Sequence, residues 1–183
     1  MLGENFPQTL EAARTGAEWA WTTMYRDLAP SVTGYLRSRR AREPEDLTGE
    51  VFLQVVRDLP RFQGAEREFR AWVFVIAHHR LLDENRRVAR RPIDLEPDGP
   101  TLASDADDVE TKVIESTATT DVRQVIDRLA PDQRNVLLLR ILGDLTVEEV
   151  ARAVGKSPGA VKALQRRGLT AIKRELAKER VSL

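Results

Sequence analysis

Cysteine is absent, which excludes disulfides and thiolate metal sites and suits a reducing cytoplasm. Long apolar runs are also missing. No stretch approaches the ~20 residues of a membrane-spanning helix, and Met1 to Leu10 lacks the basic start and apolar core of a secretory signal. Neither membrane insertion nor export is expected. Strand patterns are missing too: no segment alternates apolar and polar residues, and no Asn-Gly or Asp-Gly pair joins two such segments. Excess charge of one sign is absent, with 29 basic and 29 acidic residues. That sum argues against a nucleic-acid binder, but where the charge sits matters more.

The charge is segregated. Four arginines and no acid fall between Arg86 and Arg91. Between Pro92 and Glu115 the balance reverses to eight acids and one base, Lys112. With 42% hydrophobic and 32% charged residues, the composition is that of a globular protein. The expected fold is all-α: two small helical domains, residues 1–91 and 107–183, joined by a flexible acidic linker over 92–106. Pro92, Pro97, Gly99 and Pro100 break structure in that linker. Extended at ~3.1 Å per residue, it would reach roughly 45 Å.

Helical spacing organises both halves. A first helix holds Trp19, Trp21, Met24, Tyr25 and Leu28, and Pro30 is expected to end it before a second with Val32, Tyr35 and Leu36. Pro44-Glu45-Asp46 starts the next helix, since proline fits a first turn and acids there complement the helix dipole. Leu47, Val51, Phe52, Val55, Val56 and Leu59 follow. After the loop Arg61-Phe62-Gln63-Gly64, a longer helix carries Phe69, Trp72, Val73, Ile76 and Ala77 and turns basic. In the second half Pro131 opens a helix that Gly143 is expected to cap. Thr146 and Glu149 have capping-box spacing. Gly155 ends the short helix they open, and Ser157-Pro158 starts the last one.

Three constellations bear on function. The segment 146–174 reads as a helix-turn-helix, the second domain's hallmark. Its second helix presents Lys162, Gln165, Arg166 and Arg167, where Arg and Gln suit base edges and Lys and Arg suit phosphates. The helix from Glu68 to Arg91 joins an aromatic half to Arg80, Asn85, Arg86 and Arg87, a combination suited to single-stranded DNA. Phe69 and Trp72 belong to the core stripe, whereas loop residue Phe62 is expected to be available to a partner. Asp46, Glu50 and Gln54 recur every four residues on one helix face. That face either is solvated or meets a basic protein surface. His78 and His79 are adjacent, so they diverge on a helix and cannot readily share a metal, and nothing completes a ligand set. No metal, cofactor or catalytic residue is expected, and the chain does not read as an enzyme.

Together these segments resemble the extracytoplasmic-function sigma factors, the two-domain initiation subunits of bacterial RNA polymerase. EPEDLTGEVFLQVVRDLPRFQG resembles the polymerase-binding helix and the loop after it. FRAWVFVIAHHRLLDENRRVARRP resembles the helix that melts the promoter and reads its minus-ten element. LAPDQRNVLLLRILGDLTVEEVARAVGKSPGAVKALQRRGLTAIKREL resembles the minus-thirty-five-reading domain. The resemblance implies that Asp46, Glu50 and Gln54 face core RNA polymerase. It implies that Phe62, Ile76 and His79 line a pocket for a flipped minus-ten base, with Arg80, Asn85, Arg86 and Arg87 holding the strand. It further implies that Lys162, Gln165, Arg166 and Arg167 contact the minus-thirty-five element of duplex promoter DNA, that an anti-sigma protein masks the chain, and that it works in the cytoplasm.

Two other functions fit parts of the sequence. A stand-alone helix-turn-helix regulator would bind duplex DNA without polymerase, but it leaves the first half without a task. A hydrolase using His78 or His79 with Asp83 lacks a nucleophile.

Overall fold

The computed structural model describes residues 2–90 and 124–181, with side chains to residue 177. The expected linker and the start of the expected second domain lie outside those residues. Among the described residues every regular element is helical: α1 (Phe6–Arg14), α2 (Glu18–Ser38), α3 (Pro44–Asp58), α4 (Glu66–Arg90), α5 (Pro131–Ile141), α6 (Val147–Val154) and α7 (Pro158–Val181). The fold is all-α. No described helix is long and apolar enough to cross a membrane.

The first unit packs α3 against both α2 and α4, with α1 on α2. Its core includes Met24, Tyr35, Leu36, Val51, Val55, Phe74 and Leu81, all essentially without exposure. Pro30 does not end a helix. It lies on the exposed side of a continuous α2. The lost backbone bond is offset because Leu28, Ala29, Val32, Tyr35 and Leu36 stay on one buried stripe, and that packing, not local propensity, holds the helix.

The second unit packs α5 and α6 against α7. Thr146 and Glu149 form the expected capping box: the Glu149 amide donates to Thr146 Oγ1 at 3.1 Å, and the Thr146 amide donates to Glu149 Oε2 at 2.6 Å. Gly155 takes the left-handed conformation that ends α6 (φ 65°), and Ser157 Oγ accepts from the Ala160 amide at 3.2 Å. Gly143 serves otherwise than as a left-handed cap. The positive φ of that turn belongs to Asp144 (53°). A Cβ on Gly143 would lie 2.9 Å from both the Leu139 carbonyl oxygen and Phe74 Cγ, so glycine is there because backbone and ring approach closely.

The two units are packed on each other through α4 and α6. One hydrophobic cluster runs through both, from Phe74 and Leu81 to Leu138, Leu139, Leu145 and Val150.

Candidate nucleic-acid and polymerase interfaces

On α3 the buried positions are Leu47, Thr48, Val51, Phe52 and Val55. Their spacing leaves Asp46 and Glu50 exposed and Gln54 half-buried on the outward side. Leu53 and Val56 are also outside, at 67% and 47% exposure. Val56 therefore departs from the expected core stripe. With Trp21, Thr22, Tyr25, Arg26 and Phe52 it lines an open groove of about 310 Å³ between α2 and α3. An acidic helix face flanked by exposed apolar groups can dock a basic protein surface that carries its own apolar patch. Sequence spacing missed Leu53 and Tyr25 as part of this surface, because only the three-dimensional neighbourhood shows which apolar residues are left over.

Arg80 joins this face to α4. Its Nε donates to Gln54 Oε1 at 2.9 Å, and its Nη1 lies 3.6 Å from Glu50 Oε2. A residue expected to hold DNA is thus tied to residues expected to meet polymerase. Next to Arg80, His79 is exposed, and farther along α4 so are Asn85, Arg86 and Arg87, with Arg86 paired to Asp83 at 3.1 Å.

Phe62 corrects the sequence expectation: it is buried, at 9% exposure. Its ring stacks on Trp72 (5.1 Å, 23°) and meets Phe69 edge-on (5.4 Å, 77°), while Arg14 donates to its carbonyl oxygen. Gly64 leaves no room for a side chain, since a Cβ would come within 2.8 Å of Glu68 Cβ and 3.0 Å of Phe62 Cζ. Aromatic packing close at hand thus outweighs exposure in the loop. Ile76 is also buried, at 6%. Of the three residues expected to line a base pocket, only His79 is open to a partner.

His78 points inward. Its Nδ1 lies 2.9 Å from the Tyr35 hydroxyl, which donates to Asn135 Oδ1 at 3.1 Å. Burial, then the charges of His79 and Arg39, push its pKa down to about 4, so the folded protein holds it neutral. Unfolding restores an ordinary value near 6.5. The unfolded state then binds more protons between those limits, and stability falls as pH drops through that window. The expected loss between pH 7 and pH 5 is about 2 kcal/mol. Urea unfolding at the two pH values checks this, and an unchanged midpoint would contradict it.

In the second unit, α7 buries Val161 and Leu164 and leaves Lys162, Arg166 and Arg167 exposed, with Gln165 half-buried. Gly168 lets α7 approach α5: a Cβ there would sit 2.7 Å from Leu137 Cδ1. The turn from α6 to α7 is held by Gly155 and Ser157. The result is a short capped helix followed by a long one with a basic outer face, the arrangement a major groove accepts.

Comparison with known proteins bears on these surfaces. Residues 24–91 match the family model described as Sigma-70 region 2, and residues 119–172 match Sigma-70, region 4. The chain is 31% identical to the ECF RNA polymerase sigma factor SigD of Mycobacterium tuberculosis, over 96% of this chain and 86% of that protein. It is 34% identical to the ECF RNA polymerase sigma factor ShbA of Streptomyces griseus, over 79% of this chain and 81% of that one. In fold it is similar to RpoE of Bartonella quintana, solved with the anti-sigma factor NepR (TM-score 0.60, 17% identity, 85% of this chain and 96% of that one). It is also similar to CnrH solved with the cytosolic domain of CnrY (TM-score 0.59, 20% identity, 93% and 96%).

Proposed function

Because the chain belongs to the extracytoplasmic-function RNA polymerase sigma factors, which bind core polymerase and direct it to promoters, we propose how its own residues divide that work. Residues 1–91 form the domain that binds polymerase and handles the minus-ten element, 92–106 form the linker, and 107–183 form the minus-thirty-five-reading domain. Asp46, Glu50 and Gln54 meet core polymerase, with Leu53 and Val56 supplying apolar contact beside them. His79, Asn85, Arg86 and Arg87 hold the melted minus-ten strand by phosphate pairing and base contact. Phe62 and Ile76 support that surface from beneath. Lys162, Gln165, Arg166 and Arg167 enter the major groove at the minus-thirty-five element. The chain acts in the cytoplasm by recognition, without catalytic residues or a cofactor, and an anti-sigma protein is a natural partner for its exposed apolar groove.

The observation that carries this reading is the helix-turn-helix, in which Val161 and Leu164 anchor α7 while three basic side chains stay exposed on its outer face. Each phosphate contact releases counterions, so affinity depends on salt. Replacing Lys162, Arg166 and Arg167 with alanine should flatten log affinity against log salt by about 1 for each phosphate that is no longer paired. The measurement is holoenzyme binding to promoter duplex between low and moderate salt. An unchanged slope would remove α7 from the DNA interface. Tight, specific duplex binding by the chain alone would favour the stand-alone regulator.

A further inference from the structure

The loop between α3 and α4 is held at both of its ends by residues 2–14. Arg14, in the last turn of α1, donates through Nη2 to the carbonyl oxygen of Phe62. At the other end of the loop the Leu2 and Gly3 amides donate to the two carboxylate oxygens of Glu66, that of Gly3 at 2.9 Å. Ring contacts run between these two ties. Phe6 on α1 meets Phe69 at 5.6 Å, and Phe69 in turn meets Phe62. Phe6, Leu10 and Ala13 are buried, so α1 is itself anchored and can hold what it touches. The match to Sigma-70 region 2 begins at residue 24, so both ties come from outside the matched stretch.

The loop they hold turns a particular face outward. Phe62 is buried, whereas Arg61, Gln63, Gly64 and Ala65 are exposed. Gly64 takes a positive φ of 153°, and the Ala65 amide donates to Glu68 Oε2 at 3.1 Å. Because Phe62 stacks on Trp72, the loop stands on the α4 face that carries Trp72, Ile76 and His79 at i, i+4 and i+7. Seven residues at a rise of 1.5 Å place His79 about 10 Å along that face, roughly the span of three stacked bases at 3.4 Å each. A recognition loop fixed before its ligand arrives avoids the cost of being ordered on binding. A guanidinium on a carbonyl oxygen suits that task, since a charged donor makes a stronger hydrogen bond than a neutral one.

We infer that Arg14 is a positioning residue for promoter reading: through the Phe62 carbonyl it fixes the loop 62–65 beside the strand-binding face of α4, and so sets how strongly one minus-ten base is preferred over another. This rests on the assignment of α4 to the melted strand above. Arg14 acts through the loop backbone, and Glu66 is the matching tie at the loop's other end.

The test compares holoenzymes carrying the parent chain, Arg14→Ala, Arg14→Lys or Glu66→Ala. Each forms open complexes on the promoter that the parent holoenzyme selects from a library, and on single-base variants of its minus-ten element. Arg14→Ala should reduce the ratio between the selected promoter and its variants about five-fold. Glu66→Ala should act in the same direction, and Arg14→Lys, which keeps a cationic donor, should recover part of the ratio. A merely structural role would lower thermal stability and active fraction equally on every promoter and leave the ratio where it was. The absence of cysteine allows a spin label at Gln63→Cys to report on the loop directly, and its mobility should rise in the free Arg14→Ala protein. A ratio unchanged in both Arg14→Ala and Glu66→Ala would overturn the inference. So would a label as immobile in Arg14→Ala as in the parent. A parent holoenzyme with no minus-ten preference at all would overturn it at a different point, by removing the assignment of α4 on which it rests.

Discussion

Replacing both Asp46 and Glu50 with arginine is expected to weaken binding to core RNA polymerase on the order of 100-fold or more, because like charges facing each other across an interface cost several kcal/mol. Both side chains are exposed on α3, and the buried face of that helix is untouched, so most of the loss should fall on binding and not on folding. Two local costs remain small. Asp46 sits in the first turn, where an acid favours the helix dipole by ~0.3–1 kcal/mol. Glu50 lies beside Arg80 at 3.6 Å, so a new guanidinium would push Arg80 away from Gln54. Glu50→Gln removes the charge without that repulsion and should show an intermediate loss. Titration of labelled protein with core polymerase, alongside thermal melting, separates binding from stability. Full affinity in the double variant would place the polymerase contact elsewhere.

Phe74→Ala should be the most damaging single change to the fold, at about 3–5 kcal/mol. Phe74 has no exposure, and its ring meets Tyr35 edge-on at 5.8 Å and 69°. The Arg70 guanidinium lies 5.6 Å from its centroid. The glycine turn after α5 closes on the same ring, so a truncated side chain leaves a void bordered by both units. Phe74→Leu keeps most of the volume and should cost markedly less. Urea unfolding gives both values. A loss under ~1 kcal/mol for the alanine variant would show that the junction between the units is not a packed core.

Much of the fold was legible in the sequence because helix signals are local. Pro44 with its two acids, the Thr146–Glu149 box, Gly155 and Ser157-Pro158 each announce a helix end through groups a few residues apart, and all serve as expected. Pro30 misled because its local cost is real, while the packing that offsets it involves residues distant in sequence. Gly143 was rightly placed at a turn, but its reason, close approach to Phe74 on α4, lies far back along the chain and leaves no local trace. The exposure of the candidate side chains was legible in the same measure. Alternation of buried and exposed positions identifies the outer faces of α3 and α7. It cannot distinguish a loop aromatic open to a partner from one stacked as Phe62 is on Trp72. Nor can it show that Tyr35 and Asn135, one hundred residues apart, share a hydrogen bond. The contacts that join the two units come from single side chains with no periodicity, which is why the docked arrangement emerges only from the structure.

Mapping unpaired bases and transcript starts on a promoter library tests the central claim most directly, with core polymerase alone, with this chain added, and with its Asp46→Arg/Glu50→Arg variant. Defined starts and a melted minus-ten segment should appear only with the parent chain, preceded upstream by a shared minus-thirty-five sequence. Starts that do not depend on the chain, or that persist undiminished with the variant, would contradict the assignment of α3 as the polymerase-binding face and α4 and α7 as the promoter-reading helices.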